Sequence, residues 1–136
     1  MGFIEGDHFD DGECLDLLGR SRVGRIGLSI GAVPAVIPIR YEVSEAGILV
    51  ACSIDQVAKA MEHTVVALQS DGFDEDIRKR WTVLAIGPTE RIATHRLDTG
   101  GPDVDLPTWN FGSVRDAPHL FRLDPGVLSG RWLDGF

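Results

Sequence analysis

The stretch from Val23 to Cys52 constrains this chain more than any other part of it. Gly24, Ile26, Leu28 and Ile30 occupy alternate positions, with Val23, Arg25, Gly27 and Ser29 between them. A period of two puts one set on each face of a strand. After a turn around Gly31 the alternation resumes, with Ala35, Ile37, Ile39, Tyr41 and Val43 against Val36, Pro38, Arg40 and Glu42. Two such runs joined through glycine predict a hairpin. Pro34 and Pro38 each remove a ladder donor, which predicts an edge or a bulge in the second strand. Ile48 to Cys52 makes a third strand, entered through Glu45-Ala46-Gly47.

The flanking segments build on this hairpin. Asp10 as a cap, Glu13 three residues on, apolar Cys14, Leu15, Leu17 and Leu18, and then Gly19 predict a short opening helix. Ser53-Ile54-Asp55-Gln56 has the form of a capping box, continued by Val57, Ala58, Ala60 and Met61. Thr64 to Gln69 predicts a fourth strand covered on both faces, and Trp81 to Ile92 a long fifth. The charged stretch from Asp71 to Arg80 reads as a loop between them. Thr94 to Pro118 is punctuated by Gly and Pro, yet Trp109 and Phe111 need cover, so a functional loop is expected. His119 to Leu123 and Val127 to Trp132 close the chain as a strand pair. Long helices alternating with strands are missing, which excludes a doubly wound sheet. The expected fold class is mainly β, a small β-barrel with short helices. The chain of 136 residues predicts a single domain over 1–136.

Charge narrows the partners. A formal net charge of -8 opposes nucleic acid and anionic membrane surfaces, so neither is expected. The N-terminus has no basic region followed by an apolar one, and no apolar run is long enough to span a bilayer. The expected location is cytoplasmic, with Cys14 and Cys52 as reduced, buried thiols. His8, His63, His95 and His119 show no metal-ligand spacing, so no metal is expected. A nucleophile elbow, a phosphate-binding glycine loop and a dinucleotide fingerprint are all missing.

Three features carry possible chemistry. The strand ending near Ser53 opens a helix bearing Lys59, which is either a phosphate site or an ordinary capped helix with a solvated lysine. Asp55 in its first turn counts against the site. Arg40 either meets solvent or lines a groove. Trp81 and Trp109 either stack on a planar ring or anchor a core.

Several segments, in order, resemble the pyridoxamine 5'-phosphate oxidase-like flavin-binding split barrels. They are Cys14-Leu15 through Val23-Gly24-Arg25-Ile26-Gly27; Pro34 through Tyr41; Lys59; Asp71-Gly72-Phe73-Asp74; Trp81-Thr82-Val83-Leu84 ending at Gly87; and Trp109, Gly112, Arg115, Asp116, Arg122-Leu123 and Gly130-Arg131. The resemblance implies a split β-barrel of the FMN-binding type, with six or seven strands. It also implies a homodimer with flavins at the subunit interface. Pro38, Ile39, Arg40 and Tyr41 would flank the ring, Cys52, Ser53 and Lys59 would sit at the phosphate, and Trp81 would come from the partner. The family commonly has Asn where this chain has Arg40, and Arg-Thr-Ser where it has Ala51-Cys52-Ser53. The implied function is that of an FMN-dependent oxidoreductase of unknown substrate, with a deazaflavin as the alternative cofactor. A non-catalytic flavin, deazaflavin or haem carrier on the same scaffold is the alternative function, and a structural protein with a decayed groove is a third. No catalytic side chain is assigned, because flavin chemistry does not always need one.

Overall fold

A computed structural model describes residues 8–94, 114 and 117–133. The elements run α1 (Asp11–Leu18), β1 (Val23–Ile30), β2 (Val33–Ser44), β3 (Gly47–Cys52), α2 (Asp55–Met61), β4 (Val65–Asp74), β5 (Lys79–Thr94), β6 (His119–Leu123) and β7 (Val127–Leu133). Neighbouring strands pair in the order β4-β1-β2-β3-β6-β5, and β5 pairs back onto β4, so six strands close a barrel. The length of β5 makes this possible. Its residues up to Pro88 pair with β4, and those from Thr89 onward pair with β6. β7 lies along the other side of the first half of β5, from Arg80↔Leu133 to Ile86↔Val127. The mainly β barrel expected from the sequence is the fold observed.

Alternation decides what fills the barrel. Ile26 and Leu28, Ile39 and Tyr41, Val66 and Leu68, and Trp81 and Val83 all point inward and are buried. Burying a side chain of this size contributes about 1.5–3 kcal/mol. Leu17 and Leu18 of α1 and Val57, Ala58 and Met61 of α2 join the same core. A second apolar cluster lies on the other face of β3 and β6, where Leu49, Ala51 and Leu120 meet Val114 and Ala117. Two glycines of the family-like segments are required by close approach. A Cβ on Gly24 would stand 2.7 Å from the Gln69 carbonyl oxygen, and one on Gly87 1.9 Å from that of Asp124.

Three local expectations are corrected. Residues Asp71 to Arg80 do not form a loop, since β4 runs to Asp74 and β5 begins at Lys79. Only a tight turn remains, in which Asp74 Oδ1 accepts from the amides of Asp76 (2.9 Å) and Ile77 (3.2 Å). Beyond its last pairing with β1, at Arg25↔Gln69, β4 is bonded to β5 alone in this stretch, so its charged residues meet solvent and hide the strand period. The Ser53 capping box does not form. Ile54 is the N-cap of α2 and makes no side-chain cap bond, so the helix starts one residue later than the box requires. β4 is covered on one face only, for Val66 and Leu68 are buried while Val65 is exposed.

The prolines fall where an edge was expected. β3 pairs with β2 only from Arg40 to Ser44, so Pro34 and Pro38 lie in the half that has β1 alone beside it. Trp109, Phe111, Gly112, Arg115 and Asp116, with most of the expected functional loop, lie outside the described residues.

Candidate functional site

The barrel interior is filled by its own side chains, so binding chemistry belongs to the outer surface. One place there departs from regular pairing. The β2–β3 ladder ends at Arg40↔Ala51, and beyond it β2 continues without β3 while the chain turns into α2.

The eight residues expected at the site divide into two sets. Ile39, Tyr41, Cys52 and Trp81 point into the barrel and are buried. The Tyr41 hydroxyl donates to the Leu18 carbonyl at 2.7 Å, which ties the end of α1 to β2. Trp81 fills the space beside Gly72, where an added Cβ would stand 2.5 Å from its ring. Burial raises the pKa of the Cys52 thiol, opposed by hydrogen bonding from the Ile54 backbone and by the charge of Arg91. Pro38, Ser53 and Lys59 are exposed and Arg40 is half-buried, all on the outside. Arg40 lies opposite Ala51, and Ser53 is the next position along from Ala51 on that side of β3. The four outward residues therefore gather around the end of β3, with Lys59 one turn into α2.

Reading the sequence missed a polar group at the same strand end but on the inner face, the side of Cys52. His119 is backbone-paired with Cys52 of β3 and with Thr94 of β5, so three strands meet at its side chain. Its Nε2 lies 2.8 Å from Asp55 Oδ1 and its Nδ1 2.6 Å from Arg91 Nη1. Arg91 Nε donates to Glu62 Oε1 at 2.8 Å, and its guanidinium lies 4.9 Å from the centre of the Phe121 ring. A guanidinium can only donate, so Nδ1 of His119 is the acceptor and the imidazole proton sits on Nε2, facing Asp55. No spacing in the sequence signals this group, because the partners are 28, 29 and 64 residues apart. The only hint was Asp55, noted as an unhelpful charge for a phosphate.

The outer surface also carries an apolar feature. Val36, Gly27, Ala67, Ile86 and Val127 stand in register across β2, β1, β4, β5 and β7. Val36 and Val127 are exposed at its two ends.

The pyridoxamine 5'-phosphate oxidase family model matches residues 10–132, which include every element from α1 to most of β7. The chain belongs to the pyridoxamine 5'-phosphate oxidase family. Its fold recurs in solved structures. A FAD-binding protein from Mesorhizobium loti superposes with a TM-score of 0.69 at 22% identity, covering 94% of this chain and 98% of that one. The FAD binding protein from Mycobacterium smegmatis gives 0.66 at 19%, covering 93% and 97%. The flavocytochrome Anf3 from Azotobacter vinelandii gives 0.65 at 15%, covering 94% and 70%. At these identities the likeness is one of fold. No curated protein matches the chain in sequence. Among the described residues no helix is long and apolar enough to cross a membrane, and no three metal-ligating side chains come together.

Proposed function

We propose that this member of the pyridoxamine 5'-phosphate oxidase family binds a flavin nucleotide at the end of β3 and works as a homodimeric, cytoplasmic oxidoreductase. The observation that supports this most is that Ser53 follows β3 on the outer side next to Arg40, with Pro38 on the same face of β2 and Lys59 one turn into the helix that follows. A hydroxyl and an ammonium beside a guanidinium form a donor set that suits a phosphate ester. FMN carries that group, and FAD contains FMN, so solved relatives of this fold that bind FAD agree with the choice. A deazaflavin phosphate would meet the same donors.

In this reading Ser53 and Lys59 hold the phosphate and orient the nucleotide. Pro38 and Arg40 flank the ring from outside, while Ile39, Tyr41, Cys52 and Trp81 stiffen the wall behind it. Once bound, the flavin supplies hydride acceptance and the protein supplies position. The exposed apolar row from Val36 to Val127 offers a second copy a flat sheet face, the kind of surface two-fold oligomers bury. The two buried, unpaired thiols suit a reducing compartment.

The test is a titration of the purified protein with FMN, FAD and a deazaflavin, read by visible spectrum, thermal shift and sedimentation. The expected result is a perturbed flavin band, a raised melting temperature and a dimer. Flavin-free spectra with no thermal shift from any of the three would remove the reading. A second reading, a carrier without turnover, is favoured by relatives of this fold such as the FAD and heme binding protein from Mycobacterium smegmatis. Bound flavin that neither NAD(P)H nor a reduced deazaflavin can reduce would select it.

A further inference from the structure

The polar group beside α2 forms a brace that runs from one end of the helix to the other. Asp55, in the first turn, meets His119 Nε2 at 2.8 Å, and His119 Nδ1 meets Arg91 Nη1 at 2.6 Å. Arg91 Nε returns to Glu62, the C-cap of the same helix, at 2.8 Å. Both ends of α2 are thus gripped by an imidazole on β6 and a guanidinium on β5. The ladder between those strands is irregular here, because the register shifts between Arg91 and Ala93 and leaves Ile92 as an extra residue. The contact of His119 with Arg91 spans that interruption. The outer links are open to solvent, with Asp55 93% and Glu62 43% exposed, while His119 and Arg91 are 16% and 25% exposed. The central link is therefore the sheltered one. It also has a chemical condition: a guanidinium only donates, so Nδ1 must keep its lone pair.

We propose that His119 is a proton-sensitive latch for α2, closed while its imidazole is neutral and opened when Nδ1 gains a proton. The proton removes the acceptor that Arg91 uses and sets two cations in contact in a sheltered place. The gain on the other side is small, since an ion pair with a carboxylate as exposed as Asp55 is worth little. The loss outweighs the gain, and the imidazole and guanidinium separate. The brace then divides into two pairs, Asp55 with His119 and Glu62 with Arg91, which no longer hold each other across the bulge. The titratable groups on the elements packed around His119 are Asp55, Lys59 and Glu62 of α2, Cys52 of β3 and Arg91 of β5. Cys52 stays a neutral thiol, because burial raises its pKa. Glu90 and Arg122 pair with each other at 2.6 Å on the outer face and take no part. The direction follows: α2 is held firmly at higher pH and loosens as pH falls. A helix with no side-chain cap has nothing local to compensate. The latch lies at the inner rim and does not depend on the flavin reading.

NMR and hydrogen exchange on the full chain, with no cofactor added and at constant ionic strength, test the latch from about pH 8 to about pH 5. Exchange is compared as protection factors, which remove the intrinsic effect of pH on the rates. At the upper end, long-range imidazole spectra are expected to show His119 with Nδ1 bare and Nε2 protonated. Toward the lower end both nitrogens carry protons, and protection of the α2 amides falls about tenfold while that of β1 holds. His119→Gln keeps an acceptor for Arg91 and a donor for Asp55 but cannot titrate, so its α2 protection should stay high and level with pH. His119→Phe removes both, and its α2 should exchange about tenfold faster at every pH. Protection of β1 is the check that each variant is folded. An imidazole whose Nδ1 stays bare down to about pH 5 overturns the latch. Protection of α2 that is unmoved while Nδ1 gains its proton does the same. An equal fall in His119→Gln also overturns it, by assigning the effect to the carboxylates of Asp55 and Glu62.

Discussion

The two helices are held in opposite ways. α1 is fastened locally at its start, since the Asp10 carboxylate accepts from the Glu13 amide at 2.8 Å and the Glu13 carboxylate accepts from the Asp10 amide at 3.2 Å. Its last turn is then pinned by the Tyr41 hydroxyl on the Leu18 carbonyl. α2 has no side-chain cap and only seven residues. What holds it is burial of Val57, Ala58 and Met61, together with two charged contacts from its ends, Asp55 to His119 and Glu62 to Arg91. A short helix of this kind is not stable by propensity and exists by packing. The comparison separates a helix fixed by neighbours in sequence from one fixed by residues of distant strands.

The largest effect that would sharpen this contrast is at Met61. Its side chain is fully buried and is the apolar anchor of the last turn of α2, so Met61→Ala should cost about 2–5 kcal/mol in urea unfolding. A loss below 1 kcal/mol would show that the charged contacts, not packing, hold α2.

Alkaline pH comes next. Burial, aided by the carboxylates of Asp11, Asp10 and Glu13, pushes the Cys14 thiol up to about 11 from 9.0. The unfolded chain gives up this proton near the ordinary value, while the folded chain keeps it. The thiol's contribution is therefore complete below pH 9 and is lost as pH rises through about 11. Cys52 and Tyr41 shift in the same direction, each chiefly through burial. Unfolding free energy should fall on the order of 1–3 kcal/mol over this window, and Cys14→Ala should flatten the profile. Stability that holds level to pH 11 in the unmodified chain would contradict the burial assigned to Cys14.

Tyr41→Phe removes one buried hydrogen bond and should cost about 1–2 kcal/mol, measured by the same unfolding. Part of the loss is offset because the Leu18 carbonyl also accepts from the Ser21 amide at 3.2 Å. The smallest effects form a pair. Asp10→Ala should cost about 1 kcal/mol through the lost cap, and Ser53→Ala less than about 0.5 kcal/mol. Equal losses at the two positions would mean that Ser53 caps α2 after all.

The strands and α1 were legible in the sequence because their signals are local. Alternation in β1 and β2 and the i to i+3 reciprocity of Asp10 and Glu13 need no knowledge of distant residues. The outer extension of β4 and β5 escaped notice for the converse reason. Phe73↔Arg80 and Asp74↔Lys79 pair through their backbones in solvent, and nothing buried imposes a period on their side chains. Half of the candidate site was legible through Pro38, Arg40, Ser53 and Lys59. The other half was not, because His119, Arg91 and Asp55 meet only after β3, β5 and β6 are in register.

The sequence by itself determined the class of fold, the first helix and the family-like order of segments, since each depends on residues close along the chain or on a repeating period. Only the tertiary structure decided which residues of that pattern turned outward and which distant side chains joined them. Closure of the barrel buries Tyr41 and Trp81 on its inner face, and at the rim of that face, beside Cys52, it joins a guanidinium from β5 to an imidazole from β6. The physical reason is that strand register fixes side-chain neighbours across dozens of residues, and register is a property of the closed sheet as a whole.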